Sequence, residues 1–137
     1  MQDFRRLVVW SRAHALATTI RRRARRFRGT GYSDLKAQLV RAAESIPNNI
    51  VEGCGAATNK EFARFLDISI KSASEVEYRL QLAKEYGLLP EAEWLALSSE
   101  VVEIRKMLWG FRRAVLARDK PRPVRNPLKP HARSPDP

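Results

Sequence analysis

Apolar residues recur along this chain in alternating steps of three and four, in four separate segments. The first runs Trp10, Ala13, Ala17, Ile20, Ala24, Phe27. The second runs Leu35, Leu39, Ala42, Ile46 and continues through Asn49 and Gly53, with Ala43 and Ile50 alongside. The third runs Phe62, Leu66, Ser69, Ala73, Val76, Leu80, Ala83, and the fourth Trp94, Leu97, Val101, Ile104, Leu108, Phe111, Val115. Such steps return a side chain to one face of a helix at every turn, whereas a strand repeats every second residue. Four helices, each with one buried seam, are therefore expected.

The residues between the seams agree. Gly29 and Gly31 are expected to end the first helix, and Ser33 to cap the second. Gly53 and Gly55 close the second, and Thr58 with Glu61 forms a capping box for the third. Gly87 ends the third, and Pro90 followed by Glu91 and Glu93 opens the fourth. The connections are short, so successive helices run antiparallel. The predicted fold is all-α, an up-down-up-down four-helix bundle whose third helix spans about 40 Å at ~1.5 Å per residue. Small seam residues (Ala42, Ser69, Ala73, Ala83) allow close helix approach. Pro47 falls inside the second pattern. A kinked but continuous helix is expected there, because Ile46 and Ile50 keep the seam in phase. Asn49 on the same seam is expected either to satisfy a carbonyl freed by the proline or to fix register. Beyond residue 117 the periodicity stops, and six of the eight prolines lie in 121–137. This divides the chain into a bundle, 1–117, and a disordered, Pro-rich basic tail, 118–137, of polyproline II character.

The fourth helix carries a second apolar series at seven-residue spacing, Leu95, Val102, Trp109 and Leu116. Phe65, Ile68 and Leu82 lie beside the third seam. These positions either widen the core or form a subunit interface. The interface is the preferred reading, because a large exposed apolar patch on a monomer is uncommon.

A length of 137 residues fits one domain, and no apolar run reaches the length of a membrane span. The N-terminus has no signal-peptide core, and the single cysteine, Cys54, fits a reducing compartment; a cytoplasmic protein is expected. Charge changes the picture more. The net charge of +11 is concentrated at the ends: residues 1–30 hold nine arginines against one aspartate, while the middle is near neutral. A localised surplus of this kind points to a polyanion partner. Its densest part is Arg21, Arg22, Arg23, Arg25, Arg26 and Arg28, crowded into about two helical turns. A merely solvated face mixes both signs. Here arginine is used throughout, which suits bidentate contact with phosphate. These six are the expected nucleic-acid-binding residues, with an acidic protein surface as the alternative partner. No recognition helix with base-reading side chains stands out.

Catalytic chemistry is not expected. His14 and His131 are the only histidines, and no Glu-x-x-His pair is present to build a di-iron site. One cysteine gives neither a zinc set nor a redox pair, and Gly53-Cys54-Gly55 has no following Lys-Ser/Thr to make a phosphate loop. No metal and no cofactor is expected.

Three strings carry a resemblance. They are Phe4-Arg5-Arg6-Leu7-Val8-Val9-Trp10, Gln38-Leu39-Val40-Arg41-Ala42-Ala43-Glu44-Ser45-Ile46-Pro47-Asn48-Asn49-Ile50-Val51-Glu52-Gly53, and Glu61-Phe62-Ala63-Arg64-Phe65-Leu66. Over residues 3–117 the chain resembles the four helix bundle proteins encoded in intervening sequences of bacterial 23S rRNA genes. That family also contains the accessory variability protein of diversity-generating retroelements. Pro47, Asn49, Glu52 and Gly53 belong to its most specific motif. The resemblance implies a non-enzymatic bundle assembled as a homopentamer. Its retroelement members bind RNA or DNA and associate with a reverse transcriptase, so a reverse transcriptase or a ribosomal component is a further expected partner, and a membrane is not. This chain departs from the pattern at Val51, where alanine is usual, and at Arg28-Gly29-Thr30-Gly31, in place of a Pro- and acid-containing loop. It departs again at Ala56-Ala57, where a basic residue is common. The last change moves the expected nucleic-acid site to the first helix and the tail.

Overall fold

The computed structural model describes residues 2–121. A short 3-10 turn, Phe4–Arg6, precedes four helices: α1 Val8–Ala24, α2 Ser33–Cys54, α3 Asn59–Glu85 and α4 Glu91–Ala117. Each helix packs on its two neighbours in chain order, and α1 returns to pack on α4. The diagonal pairs make no close approach, so the helices form a square around one core. The expected bundle is the fold observed. The tail expected from residue 118 onward lies, from 122, outside the described residues.

The seams read from the sequence are the core. Ile20, Leu39, Ile46, Ile50, Leu66, Leu80, Ile104 and Leu108 are all fully buried. Each such side chain contributes roughly 1.5–3 kcal/mol relative to exposure. The small seam residues Ala42, Ser69, Ala73 and Ala83 are buried between helices as well. Trp10, Trp94 and Phe111 are only half-buried, at the edges of the core.

Local signals set most of the ends. Thr58 accepts a hydrogen bond from the Glu61 amide at 3.1 Å, which caps α3. Beyond α3, Gly87 adopts φ +74°. There the Leu88 amide donates to the Ala83 carbonyl at 2.9 Å and the Gly87 amide to Lys84 at 3.0 Å. This left-handed closure is the one glycine makes cheaply.

Besides Gly53, which lies inside α2 where it was expected to close that helix, three expectations need correction. Ser33 is the first residue of α2 and not its cap; Tyr32 holds that position, and no side chain caps the helix. α1 ends at Ala24, short of the expected Gly29. Beyond it the Arg26 and Phe27 amides donate to carbonyls three residues back, a tightening that still buries Phe27. The third concerns Asn49. Pro47 lies within a continuous α2, as expected, and deprives the Ala43 carbonyl of its usual donor. The Asn49 amide does not serve that carbonyl. It donates to the Ser45 carbonyl at 2.9 Å and to the Ser45 hydroxyl at 3.0 Å. The Ser72 hydroxyl donates to that of Ser45 at 2.8 Å, and the buried Ser69 hydroxyl donates to the Ile46 carbonyl at 2.9 Å. A ladder of small polar groups thus joins α2 to α3 around the proline.

Candidate nucleic-acid interface

The C-terminal turn of a helix exposes unpaired carbonyls and the negative end of its dipole, so cations there are favoured by roughly 0.3–1 kcal/mol each. Arg21, Arg22 and Arg23 occupy that turn of α1; Arg25, Arg26 and Arg28 follow in the non-helical segment. Only the first three are helical, whereas the sequence placed all six within about two helical turns. Arg21 donates from Nε and Nη2 to Glu44 of α2 at 2.9 and 2.7 Å. Arg23 and Arg26 both reach Glu93 of α4, at 3.0 and 3.8 Å. Two carboxylates remote in sequence therefore compensate part of a charge cluster that looked uncompensated along the chain. Arg22 touches only the Thr19 hydroxyl, at 3.5 Å. For Arg22, Arg25 and Arg28, all exposed, no carboxylate partner is present among the described residues.

A groove of about 1070 Å³ runs along the outer side of the α1–α2 pair, with Arg21 in its wall. Phe4, Trp10, Val40 and Pro47 give it an apolar lining; Lys36 and Arg41 add positive charge. His14 is exposed and stacks on Trp10 with ring centres 4.9 Å apart and planes 13° from parallel. The four-residue spacing of Trp10 and His14 was the available signal for that stack. The groove had none, since residues of two helices and the N-terminal turn line it together.

The second apolar series is exposed on the outside of α4. Leu95 is 57% and Trp109 45% accessible, with Val102 and Leu116 half-buried. Phe65 and Leu82 are half-buried, and Ile68 is exposed. In the motif of α2, Pro47 is buried, Glu52 is exposed, and Gly53 is buried against the Phe62 ring. Cys54 is the buried last residue of α2. Burial pushes its thiol above the ordinary range against the opposing pull of Arg118, and Asp3 adds to the rise. It is a poor nucleophile in this setting. Among the described residues no three His, Cys, Asp or Glu side chains cluster to hold a metal, and no helix is long and apolar enough to cross a membrane.

Comparison with known proteins bears on these surfaces. No curated protein matches the sequence. A solved structure from Bacteroides thetaiotaomicron, described as a protein of unknown function from the S23 ribosomal protein family, shares the fold with a TM-score of 0.71. It is 23% identical, and the match covers 77% of this chain and 99% of that one. The family model for 23S rRNA-intervening sequence proteins matches residues 5–110, which takes in α1, its first arginines, the Pro47–Gly53 motif and most of α4. The chain therefore belongs to the 23S rRNA-intervening sequence protein family.

Proposed function

We propose that the protein is a non-enzymatic, homo-oligomeric bundle that binds the phosphate backbone of RNA or DNA at the C-terminal end of α1. Arg22, Arg25 and Arg28 make the phosphate contacts. Arg21, Arg23 and Arg26 are held by Glu44 and Glu93 and brace that end of the bundle. The observation that carries this reading is the division of the six arginines: half are paired within the chain, and half are exposed with no carboxylate partner among the described residues. Unpaired guanidiniums concentrated at one site contact a polyanion without first breaking an internal ion pair. The exposed apolar series on α4 supports assembly into an oligomer, the homopentamer that the family resemblance implies.

The test is binding of a short labelled RNA, and of a DNA of the same sequence, over a salt series. Each phosphate neutralised contributes roughly 0.7–0.9 to the log–log slope. Replacing Arg22, Arg25 and Arg28 with glutamine should flatten the slope by about 2–3 per subunit. Replacing Arg21 and Arg23 should change it less. Equal effects from the two sets, or no binding by the native protein at low salt, would overturn the assignment. A second reading has a protein as the principal partner, such as a reverse transcriptase for which the bundle is an accessory subunit. It rests on Tyr78 and Tyr86, large aromatic side chains 60% and 52% exposed. A stoichiometric protein partner that survives nuclease treatment would favour it.

A further inference from the structure

The ends of α1 and α3 and the starts of α2 and α4 meet at one end of the bundle. Two contacts fix this. Arg23 of α1 reaches Glu93 of α4 at 3.0 Å. The ring of Tyr32, just before α2, lies 5.7 Å from that of Tyr86, just after α3, centre to centre and tilted by 31°. The arginine cluster and an aromatic pair therefore share one end. The join between them is close. A Cβ added to Gly29 would stand 3.2 and 3.3 Å from two carbons of the Tyr32 ring, so the backbone leaving Arg28 rests against that ring. Arg28 is the next residue back, its Cα ~3.8 Å from that of Gly29.

Tyr86 is held in place yet left open. Its amide donates to the Leu82 carbonyl at 2.9 Å, and Tyr32 packs on its ring, but 52% of the residue stays exposed. The carboxylates at this end are mostly engaged. Glu93 is held by Arg23 and Arg26, Glu91 lies 3.7 Å from Lys84, and Glu85 accepts from the Gln81 amide at 3.0 Å. Asp34 stands in the first turn of α2, where the helix dipole favours it. Around the tyrosines, then, the charge left for a ligand is that of Arg22, Arg25 and Arg28.

We infer that this end of the bundle takes a single-stranded nucleic acid, whose phosphates meet Arg22, Arg25 and Arg28 while an unpaired base stacks on Tyr86, braced by Tyr32. The inference rests on the phosphate-binding reading above and names the form of nucleic acid that the site takes. Guanidiniums alone accept either form, because both carry phosphate. A base offers its flat face only outside a duplex, where neighbouring pairs no longer cover it. The tyrosines therefore add a preference for the form whose bases are free. Every base has such a face, so the preference is for strandedness and not for sequence.

Three ligands test this on the full chain over a salt series: a short oligothymidylate, an abasic strand with the same number of phosphates, and a duplex of the same length. The oligothymidylate should bind about 5- to 100-fold tighter than the abasic strand, the range that one stacked base supplies. The two log–log salt slopes should be equal, because stacking releases no counterion. Tyr86→Leu should erase the difference between the strands while leaving the slopes and the duplex affinity unchanged. Tyr86→Phe, which keeps the ring, should keep the difference. Tyr78→Leu, earlier on the same helix and equally open, should have no effect. Equal affinity of the native protein for the two strands would overturn the inference and leave phosphate binding standing, and that comparison needs no variant to fold. A loss from Tyr78→Leu as large as that from Tyr86→Leu would overturn the placement of the base. If Tyr86→Leu weakened all three ligands alike with circular dichroism unchanged, the tyrosine would be a support for the arginines and the inference would fail. No binding of any ligand at low salt would overturn the phosphate reading as well.

Discussion

Gly53→Ala isolates what the Pro47–Gly53 motif does in the fold. In the interior of a helix this substitution ordinarily stabilises by about 0.8–1 kcal/mol. At Gly53 the sign should reverse. A Cβ would stand 2.7 Å from Cδ1 and 2.9 Å from Cε1 of Phe62, and 3.3 Å from the Phe65 Cβ. Carbon atoms pack best at roughly 3.5–4.0 Å, so the Phe62 ring would have to retreat by about 0.8 Å or more. It has little freedom to do so. Phe62 is 5% exposed, and the Phe111 ring meets it edge-on at 5.3 Å. Overpacking of this kind costs about 1–3 kcal/mol. Set against the propensity gain, the net loss is up to about 2 kcal/mol. For a domain of this size that lowers Tm by up to about 10 °C. Urea denaturation followed by circular dichroism, at one fixed protein concentration, reads it as a lower midpoint with unchanged slope.

Two companions make the result specific. Gly55, two residues on, has φ −89°, and its added Cβ would lie at an ordinary 3.6 Å from the Glu52 carbonyl oxygen. Gly55→Ala should therefore be neutral or stabilising by up to about 1 kcal/mol. Phe62→Leu removes Cε1 and replaces the rigid ring with δ-methyls that can turn aside. In the double variant with Gly53→Ala the two losses should be less than additive by about 1 kcal/mol. A Gly53→Ala midpoint at or above that of the native protein, or strict additivity with Phe62→Leu, would refute the steric account.

Ser69→Ala should cost about 1 kcal/mol, because it removes the buried hydrogen bond to the Ile46 carbonyl and leaves almost no cavity; an unchanged urea midpoint would count against the polar ladder. Arg12 binds Glu100 through two of its nitrogens and lies 3.4 Å from the Met107 sulfur, across the α1–α4 seam. The hydrogen bonds it donates to the Glu100 carboxylate hold its guanidinium pKa above the ordinary value. Because the pair is about one-third exposed, Arg12→Met should cost only about 1 kcal/mol, shrinking as salt rises, and a gap insensitive to salt would contradict this. The raised thiol pKa of Cys54 gives a pH dependence. The folded state holds the thiol proton more tightly than the unfolded state does, so the stabilisation is complete below the ordinary thiol range and is lost as pH rises through the folded value. Cys54→Ala should flatten that alkaline decline, and an identical alkaline profile in native and variant protein would rule the thiol out as its source.

What the sequence disclosed divides along a physical line. The helices were legible because burial repeats with helical period, and every apolar residue of the third seam is in the core. Contacts that depend on the separation of two helices were not. Gly53 looked like a helix stop, yet it is helical, and its lack of a side chain is used laterally to admit Phe62. Asn49 does not serve the Ala43 carbonyl that Pro47 leaves without a donor; it bonds the Ser45 carbonyl one turn before itself. The groove along α1 and α2 belongs to the same class, since no single helix contains it.

The arginine cluster shows how much a helical wheel can add once the neighbours are placed. Arg21 lies 23 residues from Glu44 in the chain, and Arg23 lies far from Glu93, so a charge count along the sequence could not pair them. Successive helix residues turn by about 100°, so Arg21 and Arg23 diverge by about 200° and Arg22 lies midway between them. Ile20 and Ala24, both 1% exposed, mark the core side of the same turn, opposite Arg22. Arg21 therefore points to α2 and Arg23 to α4, where each meets a carboxylate, while Arg22 points away from every helix. Within α1, pairing follows from the direction in which each arginine leaves the helix; Arg25, Arg26 and Arg28 lie beyond it, and among the described residues only Arg26 of these three reaches a carboxylate.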